Sequence, residues 1–221
     1  ALIAPVSPCQ TWQLGNGHVQ RVVSFSPSSG LTTANLTDLD TRTSFISEVQ
    51  RDAAEFSLHC NDQTLRGAGR DFALVKGEVE DEPGNAPNGK ELRVTLRANK
   101  LPLEITVVYR IDRSQSGMRK WLVLRNTGSA PMLISHLVVE SIAPSVGPSS
   151  ETLLNALYGA VPREILYTGR SEDAGLLISN GSTGEGFAVL NEVPGYMKRT
   201  EIDGFSHPSR VLVNAMYDTD L

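Results

Sequence analysis

Four histidines (His18, His59, His136 and His207) and two cysteines (Cys9 and Cys60) are the side chains of this 221-residue chain best suited to hold a metal ion. None of the histidines has a second His or Cys at ligand spacing, so a site would need strands distant in sequence to converge; no metal site and no cofactor are expected. Nucleophilic catalysis is no better supported. The chain has no G-x-S-x-G elbow, and His59 and Cys60 are adjacent, so on a strand they point to opposite faces. The run "RGAGRDF" (66–72) has close-set glycines but not G-x-G-x-x-G, and it reads as a turn between strands and not as a phosphate cradle. Paired carboxylates at i,i+2, Asp38 with Asp40 and Asp218 with Asp220, read as solvated edge charges. Trp12, Trp121, Tyr196 and Tyr217 have faces that stack on a sugar ring, but the core or the gap between sheets is the expected place for each.

The elements that would carry these residues are strands. In "ELRVTLRAN", Leu92, Val94, Leu96 and Ala98 alternate with Glu91, Arg93, Thr95 and Arg97. After "NKLP" the same period returns in "LEITVVYRI" (103–111), which predicts an antiparallel hairpin with one buried face. Further strands are predicted at 19–26, 31–39, 43–49, 55–58, 72–79, 118–125, 132–141, 176–179, 186–190, 196–202 and 211–217. "SPSSG", "DEPGNAPNG", "NTGSAP", "APSVGPSS" and "SNGSTGEG" punctuate them. Trp121 shares a face with Arg119, Val123 and Arg125, and that face is less apolar than the one bearing Leu122 and Leu124. It is expected to meet a partner layer. One segment breaks the period: "SSETLLNALYGA" has a Ser cap, Leu153, Leu154 and Leu157 at helical spacing, and a stop at Gly159. It predicts a short helix near 150–158, with an irregular loop as the alternative. Eleven to fourteen strands exceed a seven-strand sandwich, so the expected fold is all-β, a two-layered antiparallel supersandwich forming one domain over residues 1–221.

Composition narrows the partners. Net charge is −5, with 20 Lys and Arg scattered among 25 Asp and Glu, so no basic face for nucleic acid is expected. No window approaches the roughly 18 apolar residues of a membrane helix. The opening "ALIAPVSPC" is not an intact signal peptide, and it leaves cytoplasmic and secreted or periplasmic locations both open. Two cysteines permit a disulfide that a core of this size does not require. Two sequons, at Asn35 and Asn180, matter only in a glycosylating host.

The order of features in "LEITVVYRIDRSQSGMRKWLVLRNTGSAPMLISHLVVESI" (103–142) resembles the N-terminal β-supersandwich of family 36 glycoside hydrolases, the α-galactosidase or melibiase type. Tyr109, Arg119, Asn126, Gly128, Pro131 and Ser141 stand at the matching places. "WQLGNGHVQRVVSF" (12–25) is similar to that domain's opening strands, and 182–202 to its late strand pair. The resemblance implies a galactose-mutarotase-like fold. It does not imply epimerase chemistry, because the mutarotase stretch of Asn-His-x-Tyr-Phe-Asn-Leu type is absent. In that family the two catalytic aspartates belong to a (β/α)₈ barrel that follows the sandwich. This chain lacks the strand–helix alternation of such a barrel and is too short to include it.

The expectation is therefore an accessory domain, part of a longer chain, that packs on a C-terminal catalytic barrel of the same protein and carries no catalytic residue. Two alternatives stand beside it. One is a carbohydrate-binding or mutarotase-like module in which Tyr196, Arg199 and His207 contact a sugar. The other is a non-enzymatic adhesion or assembly sandwich.

Overall fold

The computed structural model describes residues 9–46, 53–81, 89–147, 152–158, 161–166, 170–173, 175–190, 198–203 and 212–217. The strands in chain order are β1 (Gln10–Gly15), β2 (Val19–Ser26), β3 (Gly30–Asp38), β4 (Thr43–Ile46), β5 (Glu55–Cys60), β6 (Gln63–Arg66), β7 (Phe72–Asp81), β8 (Lys90–Ala98) and β9 (Leu103–Ile111). They continue as β10 (Met118–Asn126), β11 (Ile134–Ile142), β12 (Thr152–Tyr158), β13 (Val161–Leu166), β14 (Arg170–Asp173), β15 (Gly175–Asn180), β16 (Gly186–Leu190), β17 (Lys198–Asp203) and β18 (Leu212–Tyr217). They form four sheets, ordered β1-β2-β3-β4, β10-β9-β8-β7, β14-β17-β18-β11-β5-β6 and β13-β12-β15-β16. The paired strands in each run antiparallel. Among the described residues there is no helix.

The period-two stripes become the core as expected. Leu92, Val94 and Leu96 stand opposite Tyr109, Val107 and Ile105, and all six are fully buried. From the first sheet, Leu14, Val23, Phe25 and Leu31 join the same apolar cluster, as do Phe56 and Leu58 from β5 and Leu176 and Ile178 from β15. One core therefore links strands of all four sheets, the arrangement of a supersandwich. Between sheets the packing is close. A Cβ on Gly77 of β7 would lie 2.0 Å from Trp12 Cζ2, so the indole of β1 lies directly on that glycine.

Residues 152–158 correct the helix expectation. They form β12, which pairs with β13 on one side and β15 on the other. A short apolar run does not by its spacing tell helix from buried strand, and two flanking ladders decide it here. Strands β1, β6, β13 and β14 are additions to the expected set: β6 and β14 are four mostly polar residues, and β1 and β13 are only six residues long, too short for a clear period. Of the expected 43–49 and 196–202 strands, 47–49 and 196–197 lie outside the described residues, as does most of "DEPGNAPNG".

The turns use the residues expected of them. Asn126 Oδ1 accepts the Gly128 N–H at 2.9 Å and Asn126 Nδ2 donates to Ala130 O at 2.7 Å, an Asx arrangement that ends β10. The sheet holding this turn has β7 and β10 at its margins.

Candidate functional site

The sequence stripe Val19, Arg21, Val23, Phe25 places a guanidinium in phase with three core residues, and the structure buries all four. On β10 the stripe Met118, Lys120, Leu122, Leu124 does the same with an ammonium, since Lys120 stands opposite the buried Tyr109. Two carboxylates meet these cations: Glu55 at the start of β5 and Glu140 on β11, both buried. Four charged residues from four strands in three sheets thus converge inside the molecule.

The contacts are dense. Arg21 donates from Nη1 to Glu140 Oε2 at 2.7 Å, and from Nη2 to Glu55 Oε1 at 2.6 Å and to Glu140 Oε1 at 3.2 Å. Its Nε donates to Thr33 Oγ1 at 2.9 Å, and that hydroxyl donates to Glu55 Oε2 at 2.8 Å. Lys120 Nζ reaches Glu55 Oε1 at 2.9 Å, Glu140 Oε1 at 2.8 Å and the Glu55 carbonyl at 2.7 Å. The Tyr109 hydroxyl donates to Glu55 Oε1. Its ring lies 4.7 Å from the Arg21 guanidinium carbon and 5.2 Å from Lys120 Nζ, cation–π distances for both. Two positive and two negative charges cancel, and each carboxylate oxygen has at least one donor.

Burial alone would push the Glu55 carboxyl up; the charges of Arg21 and Lys120, with hydrogen bonds from Tyr109 and Lys120, outweigh it and hold the group down at about 2. Burial likewise opposes the charged form of Arg21, yet Glu140 and Glu55 hold the guanidinium above its ordinary range. The Tyr109 phenol is raised well above its usual value, first by burial and then by the Glu55 charge. A general acid or base that works near neutrality needs a pKa near neutrality. These groups are driven away from it, and the carboxylates are saturated with donors. Glu55 itself sits at φ 61, a left-handed conformation unusual for a side chain of this size, which the surrounding contacts hold in place. The hollow beside it, bounded by Thr32, Thr33, Ala53, Glu55 and Ile142, is too narrow to admit a water molecule. The cluster is an interlock between sheets and has no room for a substrate.

The residues singled out from sequence fall in other places. Tyr196 and His207 lie outside the described residues, as do Asp218 and Asp220. Arg199 lies on β17, in register with Met216 of β18. His18 Nδ1 pairs with Asp40 Oδ2 at 2.9 Å on the surface, and Asp38 Oδ1 accepts the N–H groups of Asp40 and Thr41 in a turn. The glycine-rich run 66–72 turns the chain from β6 to β7, and the amides of 67–69 are already used. Gly67 N–H donates to Phe56 O, Ala68 N–H to Ala54 O and Gly69 N–H to Ser29 O, at 2.7–2.9 Å. Cys9 and Cys60 are both free, the first exposed and the second buried. Of the sequon asparagines, Asn180 is buried and its Oδ1 accepts the Ser182 and Thr183 N–H groups. The Trp121 face turns outward, with Val123 47% exposed.

Sequence reasoning missed Arg21, Glu55, Lys120 and Glu140. The signal available was a charge in the core phase of an apolar stripe, visible for Arg21 and Lys120. Two of the residues that carry the family resemblance do belong to this region: Tyr109 donates to Glu55, and Ser141 Oγ accepts the Ala54 N–H at 3.1 Å.

No family model matches the chain, and no curated protein matches its sequence. Solved structures do match its shape. The galactosidase domain of an α-galactosidase–sucrose kinase superposes with a TM-score of 0.67 at 10% identity, covering 96% of this chain and 39% of that one. The GH36 α-galactosidase AgaA from Geobacillus stearothermophilus gives 0.60 at 10% identity over 94% of this chain and 37% of its own. AgaB from the same organism gives 0.57 at 10% identity, with 93% and 36% covered. This chain thus spans little more than a third of those proteins. At one identical residue in ten, the likeness is one of fold, and the expected resemblance to family 36 glycoside hydrolases is borne out at that level.

Proposed function

We propose that this chain is the accessory supersandwich of an α-galactosidase-like glycoside hydrolase, a single domain that packs on a separate catalytic barrel of the same protein and is not catalytic alone. The observation that carries the reading is the coverage: over nine-tenths of this chain aligns with about 37% of solved GH36 α-galactosidases. The closed ionic cluster supports it, because the most concentrated set of ionisable side chains among the described residues is locked into packing. In this reading any carbohydrate contact made by the chain itself falls to Tyr196, Arg199 and His207, and the bond-breaking carboxylates belong to the barrel.

The test is a pair of hydrolysis assays on a chromogenic α-galactoside. One uses this chain, and the other the protein expressed with whatever coding sequence adjoins it. The reading expects no turnover by the chain and turnover by the longer protein. Turnover by the chain alone, or adjoining sequence without a barrel, would overturn it. Mutarotation assays on the chain are expected to show no acceleration.

A further inference from the structure

The link between β1 and β2 is Asn16-Gly17-His18, and its first two residues are the pairing in which an asparagine most readily loses its side-chain amide. Gly17 carries no Cβ to shield its main-chain nitrogen; it is exposed and sits at φ 96, a left-handed position that suits glycine. The Asn16 amide, however, is fully engaged. Its Oδ1 accepts the N–H of His18 at 3.0 Å and that of Val19 at 3.1 Å, an Asx turn. Its Nδ2 donates to Asp112 O at 2.6 Å and to Gln115 O at 2.7 Å, both in the link between β9 and β10. A primary amide has two donor hydrogens and two acceptor lone pairs, and here all of them are used. This half-buried side chain therefore latches the β1–β2 turn of one sheet to the β9–β10 link of another, across 96 and 99 positions of sequence.

The partners also fix which way round the amide sits. Two N–H groups face its oxygen, and two carbonyls face its nitrogen. A carboxylate in the same place would keep the first pair of bonds. It has no hydrogen for the second pair, because both of its oxygens are acceptors. The Asp112 and Gln115 carbonyls would then confront an anion, and the latch would open.

We infer that Asn16 is a latent deamidation site, protected by the folded chain, whose conversion to aspartate or isoaspartate releases this latch irreversibly. In the reaction the Gly17 main-chain nitrogen bonds to Asn16 Cγ, the Cγ–Nδ2 bond breaks, and the side-chain nitrogen leaves as ammonia. Water carries the Gly17 amide proton to that leaving group. A second water then opens the cyclic imide at one carbonyl or the other, giving aspartate or isoaspartate. Ring closure makes Cγ tetrahedral and takes Nδ2 away from both carbonyls, so it proceeds from local openings in which the β1–β2 turn has come off the β9–β10 link. Reclosing restores an intact asparagine to its four partners, but not its product.

The test incubates the full chain at mildly alkaline pH, folded in buffer and unfolded in guanidinium chloride, and follows the tryptic peptide ending at Arg21 by mass spectrometry. Loss of the Asn16 amide is expected to be at least about tenfold slower in the folded chain, since its hydrogen bonds must first be given up. Equal rates in the two states would overturn the proposal. Asn16→Asp supplies one product directly. It is expected to raise the unfolding equilibrium constant at neutral pH by about tenfold or more, through the two lost bonds to Asp112 and Gln115. An Asn16→Asp chain as stable as the unsubstituted one would equally overturn it, and the rate comparison decides the matter even where that variant does not fold.

Discussion

The molecule uses the same charged groups in two settings. Inside, Arg21, Lys120, Glu55 and Glu140 form a closed, neutral, fully hydrogen-bonded knot. Outside, on the solvent face of β8, β9 and β10, Arg97 and Arg125 share Glu104 at 3.3 and 4.0 Å, and Arg110 and Arg119 approach Asp112 at 3.6 and 3.9 Å. Three of the outer cations are well solvated, with Arg97, Arg119 and Arg125 side chains half or more exposed, and Arg110 is the less exposed exception. Exposed pairs contribute about 0–1 kcal/mol each, because water already serves the separated ions. The inner set has lost that water, so every member depends on the others, and removing one strands the rest. The difference teaches that a count of ion pairs says little here about stability; the number of charges left unpaired by a change says much more.

The largest effect is expected from Arg21→Met. It leaves Glu55 and Glu140 sharing Lys120 alone in a dry interior, and equilibrium unfolding in urea at pH 7 should show a loss of about 3–5 kcal/mol. Arg21→Met combined with Glu140→Leu should cost less than the sum of the single changes. A strictly additive pair would break the comparison.

Tyr109→Phe comes next. It removes one donor to a charged acceptor without stranding an ion, so a loss of about 1.5–3 kcal/mol is expected by the same measurement.

Acid should act through the inner set. Because the folded-state pKa of Glu55 is depressed to about 2 from 4.5, the unfolded chain binds more protons between those values. The stability contributed by Glu55 is therefore full above about pH 4.5 and lost as pH falls toward 2. Glu55→Gln, less stable at neutrality, should show a flatter profile of unfolding free energy in that window; an unchanged acid limb would argue against the assignment.

The smallest effect belongs outside. Glu104→Gln should change stability by less than about 1 kcal/mol, and any change should shrink further in 1 M salt, where the Debye length is near 3 Å. A loss as large as that of Arg21→Met would erase the distinction between the two regions.

What the sequence makes legible follows the same division. The strands of the β8–β9–β10 sheet are legible in the sequence, because Leu92 to Ala98 and Leu103 to Ile111 carry a period-two stripe; what the stripe does not show is that Glu91, Thr95 and Val108 on the other face are buried too. The inner knot is not, since Arg21 and Lys120 look like ordinary surface charges unless their phase against Val19, Val23, Leu122 and Leu124 is followed. Glu55 and Glu140 give no such signal, because the positive φ at Glu55 and the irregular pairing of β11 displace them from simple alternation. The segment 152–158 carries leucines at helical spacing, and only its pairing with β13 and β15 makes it a strand. The ring contact between His59 and His136 depends on a bulge in β11 that the sequence does not announce.

The inward turn of Lys120 has a further consequence, for behaviour in crowded solution. β10 is the last strand of its sheet, and a terminal strand offers a ready template to any extended peptide, including a second molecule of the same kind. An ammonium set among Met118, Leu122 and Leu124 is tolerable only while Glu55 and Glu140 receive it, so a β10 pulled loose or paired in a foreign stack would bury a bare cation. Replacing the lysine by methionine removes that penalty, and is expected to leave a margin more prone to cloud on warming.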